Sequence, residues 1–200
     1  SASDTISVIV YNPPAVNLGG PYNYCENIPI HQIFKITGMK DILWSTGSTQ
    51  DSIIVTTSGT YTVRVTDTKG CKASGQVTVA TLPLPIPAFT LSDACAGVNN
   101  TFTDASAIAS GKIQKRLWDF GDGTALQFDS IVQHAFLTPG TFQVKLIVTS
   151  DGNCTDSVTH ALSVFDLPVV AFDYKIVCPG NRVELLNNST SQNPIVEWKW

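Results

Sequence analysis

The chain has 200 residues, of which 43% are hydrophobic and 14% are charged, and its formal net charge is −4. This balance lacks the basic footprint of a protein that binds nucleic acid, and no apolar run approaches the ~18 residues of a membrane-spanning helix. Short runs of Val, Ile, Thr and aromatic residues alternate with polar residues between Gly, Pro, Asn and Asp. That pattern predicts an all-β protein built from sandwich domains, with no membrane insertion in this segment.

The first 13 residues resemble the end of a repeat. The run SDTISVIVYNPP is similar to the later run TDSVTHALSVFDLP, in which an apolar strand precedes a proline. Proline fixes φ and cannot donate to a strand ladder, so it favours a stiff connection between sheets. We therefore expect residues 1–13 to contribute the last strand of a preceding repeat.

Two complete domains are predicted next, at residues 14–83 and 84–166. Each contains a tryptophan that opens a glycine-bearing stretch, WSTGST at Trp44 and WDFGDGT at Trp118. Each then reads Gly-Thr-aromatic followed by alternating apolar residues, SGTYTVRV in the first domain and PGTFQVKL in the second, where Gly140 lies in the turn. A period of two with one apolar side predicts a half-buried strand after each glycine turn.

A third domain begins after the second. Cys178 follows Cys95 by 83 residues, and the run IVEWKW aligns with IQKRLW so that Trp200 corresponds to Trp118. We therefore expect residues 167–200 to be the N-terminal half of a further domain, and Trp200 not to be a natural terminus. Short linkers stiffened by proline predict that consecutive domains are arranged end to end.

The five cysteines recur with the repeats. Cys25 and Cys71 bracket the first domain, Cys95 and Cys154 bracket the second, and Cys178 lies early in the third. These matched positions predict the disulfides Cys25–Cys71 and Cys95–Cys154, each closing a loop that stabilises the domain by roughly 4 kcal/mol in the chain-entropy model. Oxidised cysteines imply an extracellular or cell-surface location, whereas five buried free thiols in a cytosolic protein are the alternative.

The domain at 84–166 resembles the PKD domain, the immunoglobulin-like module first described in polycystin. The resemblance lies in three runs: Trp118-Asp119-Phe120-Gly121-Asp122-Gly123-Thr124, His134-Ala135-Phe136 and Pro139-Gly140-Thr141-Phe142. The family has tyrosine where this chain has Phe136 and Phe142. Residues 167–200 are similar to the first half of another copy. The resemblance implies tandem immunoglobulin-like β-sandwiches in which these motif residues are structural.

The domain at 14–83 is more distant from that family. Its run WSTGSTQDSIIVTTSGTYTVRVTDTKGC resembles the Ig-like repeats found beside PKD domains in very long bacterial surface proteins. Such proteins include adhesins of gliding bacteria and substrates of the type IX secretion system. The resemblance implies that the partners of this segment are neighbouring repeats of its own chain, and beyond them surface polysaccharide, host proteins or the secretion machinery.

Asp119 and Asp122 form the conspicuous carboxylate pair of the chain. Paired carboxylates bind calcium or carry out acid–base chemistry. Gly121 and Gly123, however, permit positive φ in a tight turn, where Asp122 can bond its own backbone. We expect both carboxylates to serve the turn, with calcium as the weaker alternative and no other cofactor.

The chain shows no catalytic pattern. His31, His134 and His160 lie in different units, and no Cys or His cluster has metal-ligand spacing. His134 is in phase with Val132 and Phe136, which predicts a hydrogen-bonded residue within the sandwich. A Gly-x-Ser-x-Gly elbow and a phosphate-binding loop are both missing from the sequence. We therefore expect that the protein is not an enzyme.

Four Asp-Ser/Thr-apolar tripeptides resemble an O-glycosylation signal of the bacterial phylum that makes such surface proteins. The candidate acceptors are Thr5, Ser52, Ser130 and Ser157. The alternative is that Asp, Ser and Ile meet where a turn becomes a strand.

Two functions compete. The first is a non-catalytic stalk or spacer segment of a large secreted or cell-surface repeat protein, a bacterial adhesin. The second is a carbohydrate- or protein-binding accessory module of a secreted hydrolase, which requires an exposed aromatic surface. Trp198 is the candidate for that surface, but it shares the phase of Trp200, and a core role for both is the competing prediction.

Overall fold

The computed structural model describes residues 4, 6, 8–90, 94–191 and 193–199, so Thr5 and Trp200 lie outside the described residues. Every regular element within these ranges is a β-strand, and the prediction of an all-β protein is confirmed. The chain divides into two compact units, at residues 1–84 and 85–200.

The first unit is a sandwich of six strands in two sheets. The strands are β1 (Tyr22–Cys25), β2 (Gln32–Lys35), β3 (Asp41–Trp44), β4 (Ser52–Val55), β5 (Gly59–Thr66) and β6 (Lys72–Leu82). The larger sheet has the order β1-β6-β5-β3, and the smaller sheet pairs β2 with β4. β1 runs parallel to β6, whereas the remaining pairs are antiparallel.

One core lies between the two sheets of this unit. In β5, Val63 and Val65 are buried while Arg64 between them is exposed, because successive side chains of a strand point to opposite faces. Phe34 of the smaller sheet stacks against Trp44 of the larger sheet, with ring centroids 6.5 Å apart. The alternation in the sequence therefore selects which face of each strand is covered.

The second unit begins with a sandwich of the same design. Its strands are β7 (Ala94–Cys95), β8 (Asn100–Thr103), β9 (Ile113–Asp119), β10 (Ile131–His134), β11 (Gly140–Ser150) and β12 (Thr155–Phe165). The larger sheet has the order β7-β12-β11-β9 and the smaller sheet pairs β10 with β8. β7 is parallel to β12, so strand order and direction repeat those of the first sandwich.

Aromatic residues fill the core of the second sandwich. The Trp118 ring lies 5.1 Å from the ring of Phe89 and 6.1 Å from that of Phe102. Val144 and Leu146 of β11 are fully buried in the same core. Trp118 thus fills the space between the sheets.

A hairpin follows the second sandwich within the second unit. Its strands are β13 (Phe172–Tyr174) and β14 (Leu185–Asn187), which pair antiparallel. An isolated β-bridge beside this pair of strands joins Val169 to Thr190. The same kind of bridge, 83 positions earlier in the chain, joins Ile86 to Ala107. The hairpin segment therefore repeats the backbone pairing with which the second sandwich opens.

A side-chain hydrogen bond recurs at the same offset. The Ser106 hydroxyl oxygen accepts the Ala88 amide at 3.0 Å, and the Ser189 hydroxyl oxygen accepts the Ala171 amide at 3.2 Å. Both contacts lie 83 positions apart, as the two bridges do. Backbone and side-chain contacts of the two segments thus recur at the same offset of 83 positions.

Candidate functional site

The run from Trp118 to Thr124 leaves β9 and forms the loop that carries the motif residues. Trp118 has no exposed surface, and its indole Nε1 donates a hydrogen bond to the backbone carbonyl of Asp129 at 2.9 Å. Its backbone exchanges two further hydrogen bonds with Gln127, at 2.8 and 3.2 Å. The tryptophan therefore fills the core and closes the base of the loop.

Two glycines allow the loop to turn. Gly121 and Gly123 have φ values of +71° and +81°, a region that residues with a Cβ rarely adopt. A Cβ at Gly121 would lie 2.7 Å from the backbone oxygen of Gln143, whereas one at Gly123 would meet nothing within 4 Å. The Asp119 carboxylate accepts the Gly121 amide at 3.0 Å, so the first aspartate serves the turn.

Asp122 holds the other side of the loop. Its Oδ1 accepts the amide of Thr124 at 3.1 Å and the hydroxyl of Thr124 at 2.7 Å, and its Oδ2 lies 2.6 Å from Nε2 of His134. Burial raises the pKa of Asp122, but the hydrogen bonds from Thr124 and His134 outweigh that effect and hold the pKa below its usual value. The ionised form of this carboxylate is the one that the fold stabilises.

His134 connects the loop to the aromatic core. Its ring stacks on Phe120 with centroids 4.0 Å apart and an interplanar angle of 6°, and it meets Phe136 edge-on at 4.6 Å. Only 7% of the residue is exposed. The phase of β10 indicates a buried histidine, but the sequence does not identify its partner, because Asp119 and Asp122 lie in one turn and only one of them reaches it.

The two carboxylates of the loop already accept hydrogen bonds. The hydrogen-bonding oxygens of Asp119 and Asp122 are engaged by Gly121, Thr124 and His134. Across the described residues, no group of three or more His, Cys, Asp or Glu side chains could hold a metal ion. The arrangement accounts for both carboxylates as parts of the turn.

A buried ion pair, Arg116 with Asp104, joins the two sheets of this sandwich. Arg116 of β9 donates from Nε to Oδ2 of Asp104 at 2.5 Å, and the Asp104 side chain is 3% exposed. Burial raises the pKa of Asp104, but bonds from Ser106 and Arg116 lower it below its usual value. This pair was not predicted from the sequence, although Arg116 shares the core-facing phase of Trp118, and a charge in that phase requires a buried partner.

The first sandwich anchors its tryptophan in the same way. Trp44 is buried, and its Nε1 donates to the backbone carbonyl of Gln50 at 2.9 Å. Its backbone amide donates to Ser48 at 2.9 Å, and Gly47 turns the chain with a φ of +84°. The loop after Trp44 is shorter than the loop after Trp118. The hydrogen bond from the indole Nε1 to a backbone carbonyl is nevertheless present in both.

The cysteines do not pair as predicted. Cys25 and Cys154 are disulfide-bonded, whereas Cys71, Cys95 and Cys178 carry free thiols. The predicted disulfides Cys25–Cys71 and Cys95–Cys154 are therefore wrong.

The error follows from two parallel pairings, of β1 with β6 and of β7 with β12. Cys25 lies opposite Leu82, at the end of β6, and Cys95 lies opposite Phe165, at the end of β12. Cys71 and Cys154 immediately precede β6 and β12, which have 11 residues each. At about 3.3 Å per residue, the two cysteines of one sandwich are roughly 35 Å apart along the strand, far beyond the ~7 Å limit on Cα separation in a disulfide.

The candidate glycosylation sites differ in accessibility. Ser130 and Ser157 are exposed, whereas Ser52 is partly buried at the start of β4 and its hydroxyl donates to Asp51 at 3.2 Å. Thr5 lies outside the described residues. Ser130 and Ser157 are therefore accessible to a modifying enzyme.

The remaining motif residues and histidines have separate roles. Phe136 is fully buried, and Gly140 begins β11. His31 is exposed, and the ring of His160 lies 4.9 Å from that of Phe89. The structure therefore does not bring His31 and His160 into the site of His134.

Trp198 borders an apolar groove of about 530 Å³ on the hairpin segment. Six of the lining residues are Pro168, Val170, Phe172, Leu185, Ile195 and Trp198. Trp198 is 52% exposed and Phe172 is 59% exposed. Phe172 lies 83 positions after Phe89, which is 6% exposed in the second sandwich. The groove residue Phe172 thus corresponds in position to a core residue of the second sandwich.

Several solved structures are similar to parts of this chain. The PKD1 domain of Vibrio anguillarum Epp is 25% identical, over 40% of this chain and 93% of its own, with a TM-score of 0.37. The PKD1 domain of the Vibrio cholerae metalloprotease PrtV is 26% identical, over 40% and 96%, with a TM-score of 0.37. Fibronectin(III)-like modules of Clostridium thermocellum CbhA are 13% identical, over 72% and 88%, with a TM-score of 0.44.

Sequence comparison assigns one of the domains. No curated protein matches the chain, and among the described residues no helix is long and apolar enough to cross a membrane. Residues 83–164 match the family model of the PKD domain, which confirms the resemblance carried by Trp118, Gly121 and His134. The PKD match therefore accounts for residues 83–164 of an all-β protein built from β-sandwiches.

Proposed function

We propose that this chain is a non-catalytic stalk segment of a large secreted or cell-surface repeat protein, and that the whole protein is a bacterial adhesin. The observation that carries the proposal is the recurrence of one module. The bridge Val169–Thr190 repeats Ile86–Ala107 at an offset of 83 positions, and the two sandwiches share strand order and direction. A chain that repeats one module gains length with each copy, which is the property that a stalk needs.

The site chemistry supports a structural role. Asp122 and His134, the pair that comes closest to an acid–base arrangement, bind each other in a largely buried position. Asp119 is engaged by its own turn. Side chains that are committed to each other in this way stabilise a loop and leave little to offer a substrate.

An extracellular location fits two observations. Disulfides persist in oxidising compartments, and Cys25 and Cys154 are oxidised. The PKD match at residues 83–164 adds a module found in secreted and surface proteins. The partners proposed for this segment are neighbouring repeats, with surface polysaccharide, host proteins or the secretion machinery bound elsewhere in the protein.

Solution scattering on the whole chain tests the stalk. A compact particle of 200 residues has a radius of gyration of about 16 Å, and modules arranged end to end give a clearly larger value. A radius near 16 Å would mean that the modules pack side by side, and the stalk proposal would be abandoned.

The competing function is an accessory module that binds a carbohydrate or protein for a secreted hydrolase. The observation in its favour is the half-exposed Trp198 in an apolar groove. Retention of the chain on insoluble cellulose or chitin, lost in Trp198→Ala and kept in Trp198→Phe, would support it. We favour the stalk, because the counterpart of Phe172 in the same groove is a core residue in the second sandwich.

We also propose Ser130 and Ser157 as O-glycan acceptors, because both follow an aspartate and both are exposed. The intact mass of the protein secreted by its natural source tests this. A mass equal to that of the polypeptide would exclude the modification, and loss of one glycan in Ser157→Ala would locate it.

A further inference from the structure

Each sandwich carries a cysteine at the end of the strand that runs parallel to its last strand. Cys25 is the last residue of β1 and lies opposite Leu82. Cys95 is the last residue of β7 and lies opposite Phe165. We call this the strand-end position, because the last strand of the sandwich ends beside it.

Cys178 continues this series. The amide of Asn181 donates to the carbonyl of Cys178 at 3.1 Å, as the amide of Val98 donates to the carbonyl of Cys95 at 3.2 Å. Cys178 therefore occupies the strand-end position of the module that follows the second sandwich.

Each sandwich also carries a cysteine immediately before its last strand, here called the strand-start position. The carbonyls of Cys71 and Cys154 accept the amides of Asp67 and Ser150, at 2.9 and 2.8 Å. The amides of the same two cysteines donate to the side chains of Asp67 and Ser150, at 2.8 and 3.2 Å. The local structure of the two sites is therefore the same.

Equivalent positions differ in oxidation. At the strand-end position Cys25 is disulfide-bonded and Cys95 is free, and at the strand-start position Cys154 is bonded and Cys71 is free. Cys71 and Cys95 are partly exposed. Because the local structure is shared, access to a partner determines which cysteine is oxidised.

The partner cannot lie in the same sandwich, since the two positions are at opposite ends of an 11-residue strand. Chain direction indicates where it lies. The last strand ends at the strand-end position, so the chain leaves the sandwich there. The first strand runs parallel to the last strand, so the chain enters the sandwich at the opposite end, near the strand-start position. A strand-end cysteine therefore lies at the end of its sandwich from which the chain leaves, and a strand-start cysteine lies at the end where the chain enters.

We propose that Cys95 and Cys71 form disulfides with cysteines of adjoining repeats. Cys95 pairs with the strand-start cysteine of the repeat that follows it, and Cys71 pairs with the strand-end cysteine of the repeat that precedes its own. The inference rests on the proposed stalk, in which repeats continue along the chain. A covalent link at each junction makes consecutive modules resist separation under tension.

The chemistry is thiol–disulfide exchange. Two thiols join through a new Sγ–Sγ bond and release two protons and two electrons. The electrons pass to the disulfide of an extracytoplasmic thiol–disulfide oxidoreductase, which is reduced to its dithiol.

Peptide mapping without reductant tests the inference on the whole protein as its source secretes it. After free thiols are blocked by alkylation, Cys95 should appear in a peptide cross-linked to the cysteine that precedes the last strand of the next repeat. Cys71 should appear cross-linked to a strand-end cysteine of the preceding repeat. Cys95 recovered as an alkylated thiol, or cross-linked to Cys154, would overturn the inference.

Substitution supplies a second readout. Cys95→Ser in the whole secreted protein should expose one additional alkylatable thiol, at the strand-start position of the next repeat. The neighbouring control Ala96→Ser should expose none. An unchanged thiol count in Cys95→Ser would contradict the inference even if the peptide map were incomplete.

The disulfide measurements and the scattering measurement test the two proposals independently. An extended particle with Cys95 as a free thiol would keep the stalk and remove the junction disulfides. A compact particle with the predicted cross-links would remove the stalk and keep the disulfides.

Discussion

Asp104 and Arg116 form an ion pair between the two sheets of the second sandwich, with 2.5 Å between Oδ2 and Nε. The carboxylate is 3% exposed and the guanidinium 25% exposed, so the pair is largely removed from water. Asp104 also accepts the amide of Ser106 at 2.9 Å. A buried charge that loses one partner stays desolvated, which makes removal of either residue costly.

Arg116→Met should therefore destabilise the second sandwich by about 2–4 kcal/mol, because it leaves the Asp104 carboxylate buried with fewer donors. The matched control is Lys115→Met, one position away on the exposed face of β9, where we expect a change within about 0.5 kcal/mol. Denaturant unfolding of the whole chain measures both. Equal effects from the two substitutions would mean that the pair contributes nothing.

Acid should destabilise the second sandwich through Asp104 and Asp122. Both have a pKa below the usual value, so each stabilises the fold above the unfolded pKa of about 3.9. That contribution is lost as the pH falls through the folded pKa. We expect the free energy of unfolding to be level above pH ~5 and to fall below pH ~4.

The contribution of Asp122 can be isolated. Asp122→Asn keeps the shape of the side chain and removes its titration, so its profile between pH ~5 and ~2 should be flatter than that of the parent chain. Asp119→Asn is the control, since no contact joins that exposed carboxylate to His134. If the parent and Asp122→Asn profiles ran parallel, the Thr124 and His134 bonds would not be the source of the acid sensitivity.

Trp118→Ala should cost roughly 3–5 kcal/mol, because it empties the centre of the core and leaves the Asp129 carbonyl without its indole donor. Trp44→Ala should have a similar effect on the first sandwich, where the indole bonds to Gln50. Trp198→Ala, at a half-exposed position, should change stability far less. Thermal melts of the three variants test this, and a Trp118→Ala melt that overlays the parent would exclude a core role.

Gly121 and Gly123 should respond differently to alanine although both have positive φ. Gly123→Ala adds backbone strain alone, about 1–2 kcal/mol, because its Cβ would enter open space. Gly121→Ala adds a clash with the Gln143 backbone and should cost more. The difference between the two unfolding free energies is the measurement, and a difference of zero would contradict the close approach to Gln143.

The alternation of apolar and polar residues by itself determined the strands and their buried faces. Val63 and Val65 are buried and Arg64 is exposed, as a period of two requires. The run WDFGDGT also located the loop, because its glycines permit a turn that few other residues allow. Self-similarity of the sequence predicted a module repeat, and the contacts of Ala88 and Ala171 recur at the predicted offset of 83 positions.

Pairings between distant residues were decided only by the tertiary structure. Matched cysteine positions in the sequence allow a disulfide inside each sandwich. The parallel pairing of β1 with β6, however, places Cys25 beside Leu82 and far from Cys71. The choice of Asp122 over Asp119 as the partner of His134 likewise depends on how the loop folds over β10. Local patterns specify strands and turns because those depend on neighbours in sequence, whereas strand direction and sheet order set which ends meet.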